Sequence, residues 1–338
     1  MKVVQFGAFG TPQEVAECVD LPDPGAPGDG EVVVEIEAFP INPADLLTFE
    51  GRYAVRPPLP ATLGAEGVGR VAAAGPAVDQ VAVGDRVIHL GRDNWTQRIK
   101  VAADQVIKVP AEADVLQLAM LKVNPATALL MLRDYVRLEA GDWVIQNAAN
   151  SGVGTNLIRH AKADGIRTVN VVRREDLIAP LTAIGADAVV MDGDDLAKRV
   201  AEVTDGATDG ATDGAAVKLA IDAVGGEACL RLADCLAEGG TVVNYGLLSG
   251  RPCMLGSHHL IFKDITLTGF WLSRVLRTAP RAQIDALYAD LAGRVRDGSL
   301  HVEVEATYPI EQIKEAVAHA GRPGRGGKVL VTPNGPVA

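Results

Sequence analysis

The segment WVIQNAANSGVGTNLIRHAKADGIRTVNVVRR, residues 143–174, constrains the fold more than any other stretch. An apolar strand ends at Gln146, small residues and glycines run through Gly154, an amphipathic helix follows, and a second strand ends in Arg173 and Arg174. Such a strand–helix–strand unit is the crossover that two parallel strands require. Gly152 and Gly154 let backbone approach a pyrophosphate, and the free N–H groups and positive end of the helix face it. The spacing reads Ala149-x-x-Gly152-x-Gly154 and not the full G-x-G-x-x-G, so the flanking strands carry the assignment. A glycine-rich turn that only packs helix against strand remains the alternative.

The same alternation continues downstream. LAIDAV and GTVVNYG read as short apolar strands, AVVM as another, and CLRLADCLAEG as an amphipathic helix between them. The pattern predicts an α/β fold, a doubly wound parallel sheet covered by helices. Before Lys122 the character differs: VVVEIEAF, GVGRVAAAG, DRVIHL and QVIKVP are β-rich runs separated by glycine and proline, as in an irregular small barrel. At 338 residues the chain exceeds what one core organises, so two domains are expected. The expected boundaries are 1–122 for the β-rich domain, 123–265 for the nucleotide domain and 266–338 for a return to the first. In that last part RAQIDALYADLAGRVRDGSL predicts one helix and KVLVT a strand. The repeat TDGATDGATDGA, residues 204–215, predicts a solvated loop.

A net charge of −11 argues against nucleic acid and anionic lipid as general partners. Cys18, Cys229, Cys235 and Cys253 lack close C-x-x-C pairing, which predicts reduced thiols. The start MKVVQFGAFG reads as an alternating strand without a signal core, so a cytoplasmic location is expected.

The end of the second nucleotide-domain strand discriminates between cofactors. An acid there binds the ribose 2′-hydroxyl of NAD; here Arg173 and Arg174 stand in its place and suit a 2′-phosphate, so NADPH is expected. Solvated surface charge is the alternative reading of both arginines.

A barrel preceding a nucleotide domain resembles the medium-chain dehydrogenase/reductase superfamily, which pairs a GroES-like catalytic domain with a Rossmann-type domain. Its alcohol dehydrogenases hold zinc through cysteine and the histidine of a G-H-E motif. Here that segment reads Gly64-Ala65-Glu66, NPAD at 42–45 stands where the first cysteine would be, and His89, His258 and His259 lack carboxylate or thiol companions in the sequence. No metal is expected. Without a Lewis acid, reduction of an alkene conjugated to a carbonyl is the easier chemistry, requiring hydride at one carbon and a proton at its neighbour. A phenol is protonated at neutral pH and can supply that proton.

Within the superfamily the chain closely resembles the mitochondrial-type trans-2-enoyl-thioester reductases over nearly its whole length. The matching stretches are INPADLLTFEGRY, VNPATA, VIQNAANSGVG, NVVRR, VNYG and LIFKDITLTGFWLS. The resemblance implies Tyr53 as proton donor and Trp95 beside the substrate. It implies NADPH contacts at Asn124, Asn150, Ser151, Gly152, Val153, Arg173, Tyr245, Gly246, Leu247, Leu248, Phe270, Trp271, Leu272 and Lys328, with Arg174 a second candidate for the 2′-phosphate. It also implies a homodimer formed through strand edges of the nucleotide domain. The substrate would be an acyl thioester on CoA or acyl carrier protein.

Bland readings stand beside these. Asn42, Pro43 and Asp45 form a good helix start without any chemistry. On pattern alone Tyr53 is a packing residue, and only the resemblance reverses that. Phe270 and Trp271 suit either a core or the wall of an acyl pocket. A zinc-independent NADPH:quinone reductase and a non-catalytic NADPH-binding protein are the alternative functions.

Overall fold

The chain's structure is a computed structural model that describes residues 1–205 and 216–337. It divides into two units, Met1–Val123 with Thr278–Ala338, and Asn124–Arg277. Residues 206–215, most of the TDGA repeat expected as a loop, lie outside the described residues.

In the second unit, strand Trp143–Gln146 is buried at all four positions, which explains why it reads as a continuous apolar run. It is central in a six-stranded parallel sheet. The spatial order is Ala188–Met191, Arg167–Val172, Trp143–Gln146, Val217–Asp222, Thr241–Asn244, Thr266–Gly269. In sequence terms this is 3-2-1-4-5-6, the doubly wound order that creates a topological switch point beside the first strand. The core under the sheet gathers Ile145, Val169, Val200, Ala220, Leu232 and Val242.

The domain boundary expected at 265 is corrected by this sheet. Strand Thr266–Gly269 pairs in parallel with Thr241–Asn244, so the nucleotide unit extends to Arg277. The strand is short, and three of its four residues are threonine or glycine, so its apolar signal is too weak to read.

The first unit is β-rich. Strand Glu31–Pro40 pairs with Val68–Ala74, Arg98–Ala102 and the late strand Lys328–Val331, so the end of the described chain adds to the sheet begun near its start. Helix Arg281–Arg296 covers most of the stretch predicted as one helix and stops before Gly298, whose φ of 78° suits a glycine. The barrel core is built round aromatic rings, with Phe39 and Trp95 stacked 5.4 Å apart and Phe49 5.9 Å from Trp95. Among the described residues no helix is long and apolar enough to cross a membrane.

Candidate functional site

The nucleotide unit builds its loop from below. Ser151 caps helix Gly152–Ala163, its hydroxyl oxygen accepting the Gly154 N–H at 3.1 Å. A Cβ on Gly154 would lie 2.4 Å from the carbonyl oxygen of Ala149, so only glycine lets the helix start this close to the loop. Gln146 Nε2 donates to Gly154 O at 3.0 Å and to Asn170 Oδ1 at 2.7 Å, while Asn156 Nδ2 donates to Gly152 O at 2.6 Å. These buried amides hold the loop backbone in place, and sequence reasoning did not find them. Their signal was faint: a Gln and an Asn inside otherwise apolar strands.

At the switch point, Asn147 Nδ2 donates to Asp222 Oδ1 at 2.6 Å, joining the carboxyl ends of the first and fourth strands. Asp222 also accepts from the N–H groups of Val224 and Gly225 and from Asn244 Nδ2. Its fully used carboxylate fixes the turn at 223–225. The next loop carries Tyr245, Gly246, Leu247 and Leu248. Burial pushes the Tyr245 phenol up to about 12, against a hydrogen bond with the Ser151 side chain that acts the other way. A Cβ on Gly246 would meet Ala223 O at 2.6 Å, so this glycine too is required by backbone approach, and Leu247 and Leu248 beyond it are exposed.

These features fit a nicotinamide dinucleotide. The helix amino terminus and glycine loop offer unsatisfied amides, and Asn124 Nδ2 is buried without a hydrogen-bond partner among the described residues. Asn150 is exposed and Ser151, Gly152 and Val153 form the helix start beside it. Arg173 and Arg174 both lie exposed just past strand Arg167–Val172, Arg174 within 3.5 Å of Asp176. Phe270 and Leu272 are buried, Phe270 edge-on to Tyr135 at 6.5 Å, and Trp271 is half-buried with the Arg277 guanidinium 5.2 Å from its ring.

In the barrel unit, helix Pro43–Phe49 begins at Asn42, whose N–H donates to Asp45 Oδ2 at 2.9 Å. The helix starts at the residues expected, with Asn42 as N-cap, Pro43 first and Asp45 in the first turn. The Asn42 side chain is employed elsewhere: Nδ2 donates to Glu66 Oε1 at 2.7 Å, and Oδ1 accepts from Lys328 Nζ at 2.5 Å. Gly51, at φ 68°, closes the helix, and the N–H groups of Arg52 and Tyr53 both return to Leu47 O. Tyr53 is half-buried. Arg92 lies against it, its Cζ 4.7 Å from the ring centroid and Nη1 3.5 Å from Oη.

The expectation that Trp95 lies beside the substrate is corrected. Its side chain has 0% exposure, packed between Phe39 and Phe49 in the core, and a buried ring has no surface to offer a ligand. Lys328 is likewise buried, its amine held within the barrel unit by Asn42.

Lys122, which the sequence did not single out as a site residue, completes this region together with Glu66 and His89. Lys122 is buried, and its Nζ donates to Ala65 O and Gly91 O, both at 2.6 Å. Burial pushes its amine down to about 7, with the nearby Glu66 charge opposing. Burial pushes the Glu66 carboxyl up in turn, although it accepts from Asn42 Nδ2 and from the Val123 N–H at 2.8 Å. His89 is pushed down to about 4 by burial and then by Lys122; its Nδ1 faces Asn94 Oδ1, because Asn94 Nδ2 is committed to Gly64 O and Gly91 O.

Against this geometry the comparisons with known proteins can be placed. Residues 28–111 match the alcohol dehydrogenase GroES-like domain and residues 152–288 match the family described as zinc-binding dehydrogenase. The chain is 36% identical over 338 residues to the mitochondrial enoyl-[acyl-carrier-protein] reductase of Arabidopsis thaliana, covering 98% of this chain and 88% of that protein. For the Homo sapiens protein of the same name the identity is 34% with the same coverage. Among solved structures, the Etr1p/NADP/crotonyl-CoA complex superposes with a TM-score of 0.86 at 25% identity, over 98% of this chain and 99% of that one. The Escherichia coli quinone oxidoreductase complexed with NADPH gives 0.86 at 26%, over 98% and 100%. These relatives correct the cytoplasmic location expected from the amino terminus: the curated reductases are mitochondrial by name.

The zinc in one family description does not fit the barrel residues. Around Gly64-Ala65-Glu66 the structure places two buried amines, Lys122 and Lys328, and no thiol, and the Glu66 carboxylate already accepts two hydrogen bonds. This is not the cysteine and histidine set that holds a catalytic zinc. The reading of His258 and His259 as lacking a carboxylate companion is corrected, since Asp234 Oδ1 lies 3.4 Å and 2.7 Å from their Nε2 atoms. Asp234 lies 24 and 25 positions earlier in sequence, so spacing does not reveal it. His259 Nδ1 accepts the Gly256 N–H, which puts its proton on Nε2, facing Asp234, and leaves no free lone pair there for a metal.

Proposed function

The chain belongs to the mitochondrial-type enoyl-thioester reductases of the medium-chain dehydrogenase/reductase superfamily, and from that premise we propose that it reduces trans-2-enoyl thioesters to saturated acyl thioesters with NADPH. The observation that carries the chemical assignment is the setting of Tyr53: a half-buried phenol beside a guanidinium, in a unit where amines stand at the position a zinc would need.

A nicotinamide held there would supply the hydride for C3 of the enoyl group. Tyr53 Oη gives its proton to C2. Asn124, the Asn150–Val153 loop, Tyr245 to Leu248 and Phe270 to Leu272 hold the cofactor, and Arg173 with Arg174 takes the 2′-phosphate. The glycines keep backbone N–H groups close to the pyrophosphate, and the Asn147–Asp222 bond keeps the two loops that receive it in fixed register.

Quinone reduction is the second reading, favoured by the TM-score of 0.86 to the quinone oxidoreductase. NADPH oxidation by wild type and Tyr53→Phe, assayed with crotonyl-CoA, a longer enoyl-CoA and a panel of quinones, separates them. Loss of enoyl turnover in Y53F by roughly 10²–10⁴-fold supports the enoyl reading. Full enoyl turnover in Y53F, or turnover of quinones alone by wild type, rejects it.

The functional form is a homodimer in this reading. Strand Thr266–Gly269 ends its sheet, and Leu260, Ile261 and Phe262 (77% exposed) precede it, so a second copy adding its own edge would cover both the open backbone and the apolar side chains. Sedimentation of wild type and Phe262→Asp tests this: a wild-type monomer ends it.

A further inference from the structure

We propose that Arg92 is a positioning residue for proton transfer from Tyr53: its guanidinium eases departure of the phenolic proton and holds the phenolate left behind. The inference rests on the enoyl-reductase reading of Tyr53.

The geometry argues for a charge placed for the transition state. Arg92 Nη1 is 3.5 Å from Tyr53 Oη, long for a hydrogen bond to a neutral phenol, while Cζ lies 4.7 Å from the ring centroid. A cation on the ring face keeps the phenol oriented. As negative charge grows on Oη the same contact shortens and strengthens, so it stabilises the transition state more than the ground state.

The arginine is carried on a loop fixed at the preceding residue. Gly91 O accepts both Lys122 Nζ at 2.6 Å and Asn94 Nδ2 at 3.1 Å, and a Cβ on Gly91 would lie 2.4 Å from His89 Cε1. Asn94 is tied in turn to Gly64 O at 2.9 Å. The guanidinium therefore needs little reorganisation when the charge appears. Charged residues close to Tyr53 and Arg92 in sequence have other partners. Arg52 pairs with Glu50, Arg56 lies over Phe9, and Asp93 accepts the Thr62 hydroxyl. Buried Asp45 and Lys122 both feel the Arg92 charge.

The hydride pair forms the C3–H bond and the C2–C3 π bond opens. Its electrons take the proton from Oη at C2, the O–H pair stays on oxygen as phenolate beside Arg92, and solvent returns the proton before the next turnover.

The test compares wild type, Arg92→Gln, Arg92→Lys, Tyr53→Phe and the double variant Y53F/R92Q in crotonyl-CoA reduction by NADPH, across pH. In R92Q kcat should fall about tenfold to a hundredfold, with KM for NADPH within about twofold. The descending limb of kcat should move, because the charge that meets the departing proton is gone. R92K should recover part of the loss. In the Y53F background R92Q should add nothing, since the charge acts only through the phenol. R92Q with wild-type kcat and an unmoved limb overturns the proposal while Y53F still tests the proposed function. So does an R92Q effect that is undiminished in Y53F, or one that R92K shares in full with no movement of the limb, both of which mark a merely structural arginine. A wild type inert on enoyl thioesters rejects both readings together.

Discussion

Lys122 Nζ lies 2.6 Å from the carbonyl oxygen of Gly91, so a buried amine secures the loop that presents Arg92 to Tyr53. That amine is pushed by burial from an ordinary 10.5 to about 7. Its charged form is disfavoured in the folded chain, so between pH 7 and 10.5 the unfolded chain binds more of this proton. Stability contributed by Lys122 therefore rises with pH through that window: the full penalty stands below it and is gone above it. The size is on the order of 5 kcal/mol at most. Thermal melts of wild type and Lys122→Met from pH 6.5 to 10 check it, and the difference between them isolates this group from other titrations. A difference that does not change with pH rejects the burial argument.

Gly154→Ala should weaken NADPH binding about tenfold or more and lower stability by roughly 1–3 kcal/mol. The added methyl meets a backbone carbonyl, Ala149 O, at 2.4 Å, and backbone cannot swing aside as a flexible side chain can. Either the loop or the helix start must move, and both carry amides that the proposed function assigns to the pyrophosphate. Fluorescence titration with NADPH reads the first effect and a urea melt the second. Unchanged affinity would show that the helix start does not face the cofactor.

Arg173→Ala with Arg174→Ala should lower the preference for NADPH over NADH in kcat/KM by about 10–100-fold, through loss of NADPH efficiency. A charged hydrogen bond to a phosphate contributes about 1.5–3 kcal/mol. Both side chains are exposed, and the Arg174 contact with Asp176 is loose at 3.5 Å, so neither is committed to the fold and melting should hardly change. Single variants assign the share of each. An unaltered NADPH/NADH ratio would return both arginines to ordinary surface charge.

What the sequence revealed and what it hid follow from the range of the interactions. Gly152, Gly154 and the apolar strand before them act through local backbone geometry, so their pattern is visible in a window of a dozen residues. Tyr53 was visible only through resemblance, because one aromatic residue after a helix has no signature of its own. Arg92 and Lys122 were not visible: the first meets a side chain 39 positions earlier and the second closes spans of 57 and 31 positions. Trp95 shows the converse. The family resemblance suggested a ligand contact there, while three-dimensional packing put it between Phe39 and Phe49. Strand Thr266–Gly269 escaped notice because its residues are mostly threonine and glycine and carry little apolar signal.

The final prediction concerns Asn42, the residue that looked like plain helix capping. Its amide stands between Glu66 and Lys328, donating to one and accepting from the other, with all three side chains buried. Asn42→Ala strands a carboxylate oxygen and an ammonium at once, and breaking a buried charged network of this kind costs about 3–5 kcal/mol. Asn42→Asp preserves the acceptor for Lys328 but turns the donor facing Glu66 into a second acceptor. When both carboxyls are ionised the pair repels; when one is protonated, its O–H can replace the lost amide donor. Burial already pushes Glu66 up, which favours the shared proton. Urea melts should therefore find N42D closer to wild type at pH 5 than at pH 8, while the deficit of N42A changes less with pH. Equal deficits for N42D at both values would mean that the Glu66 side of the bridge contributes nothing, leaving the Lys328 contact as the one that matters.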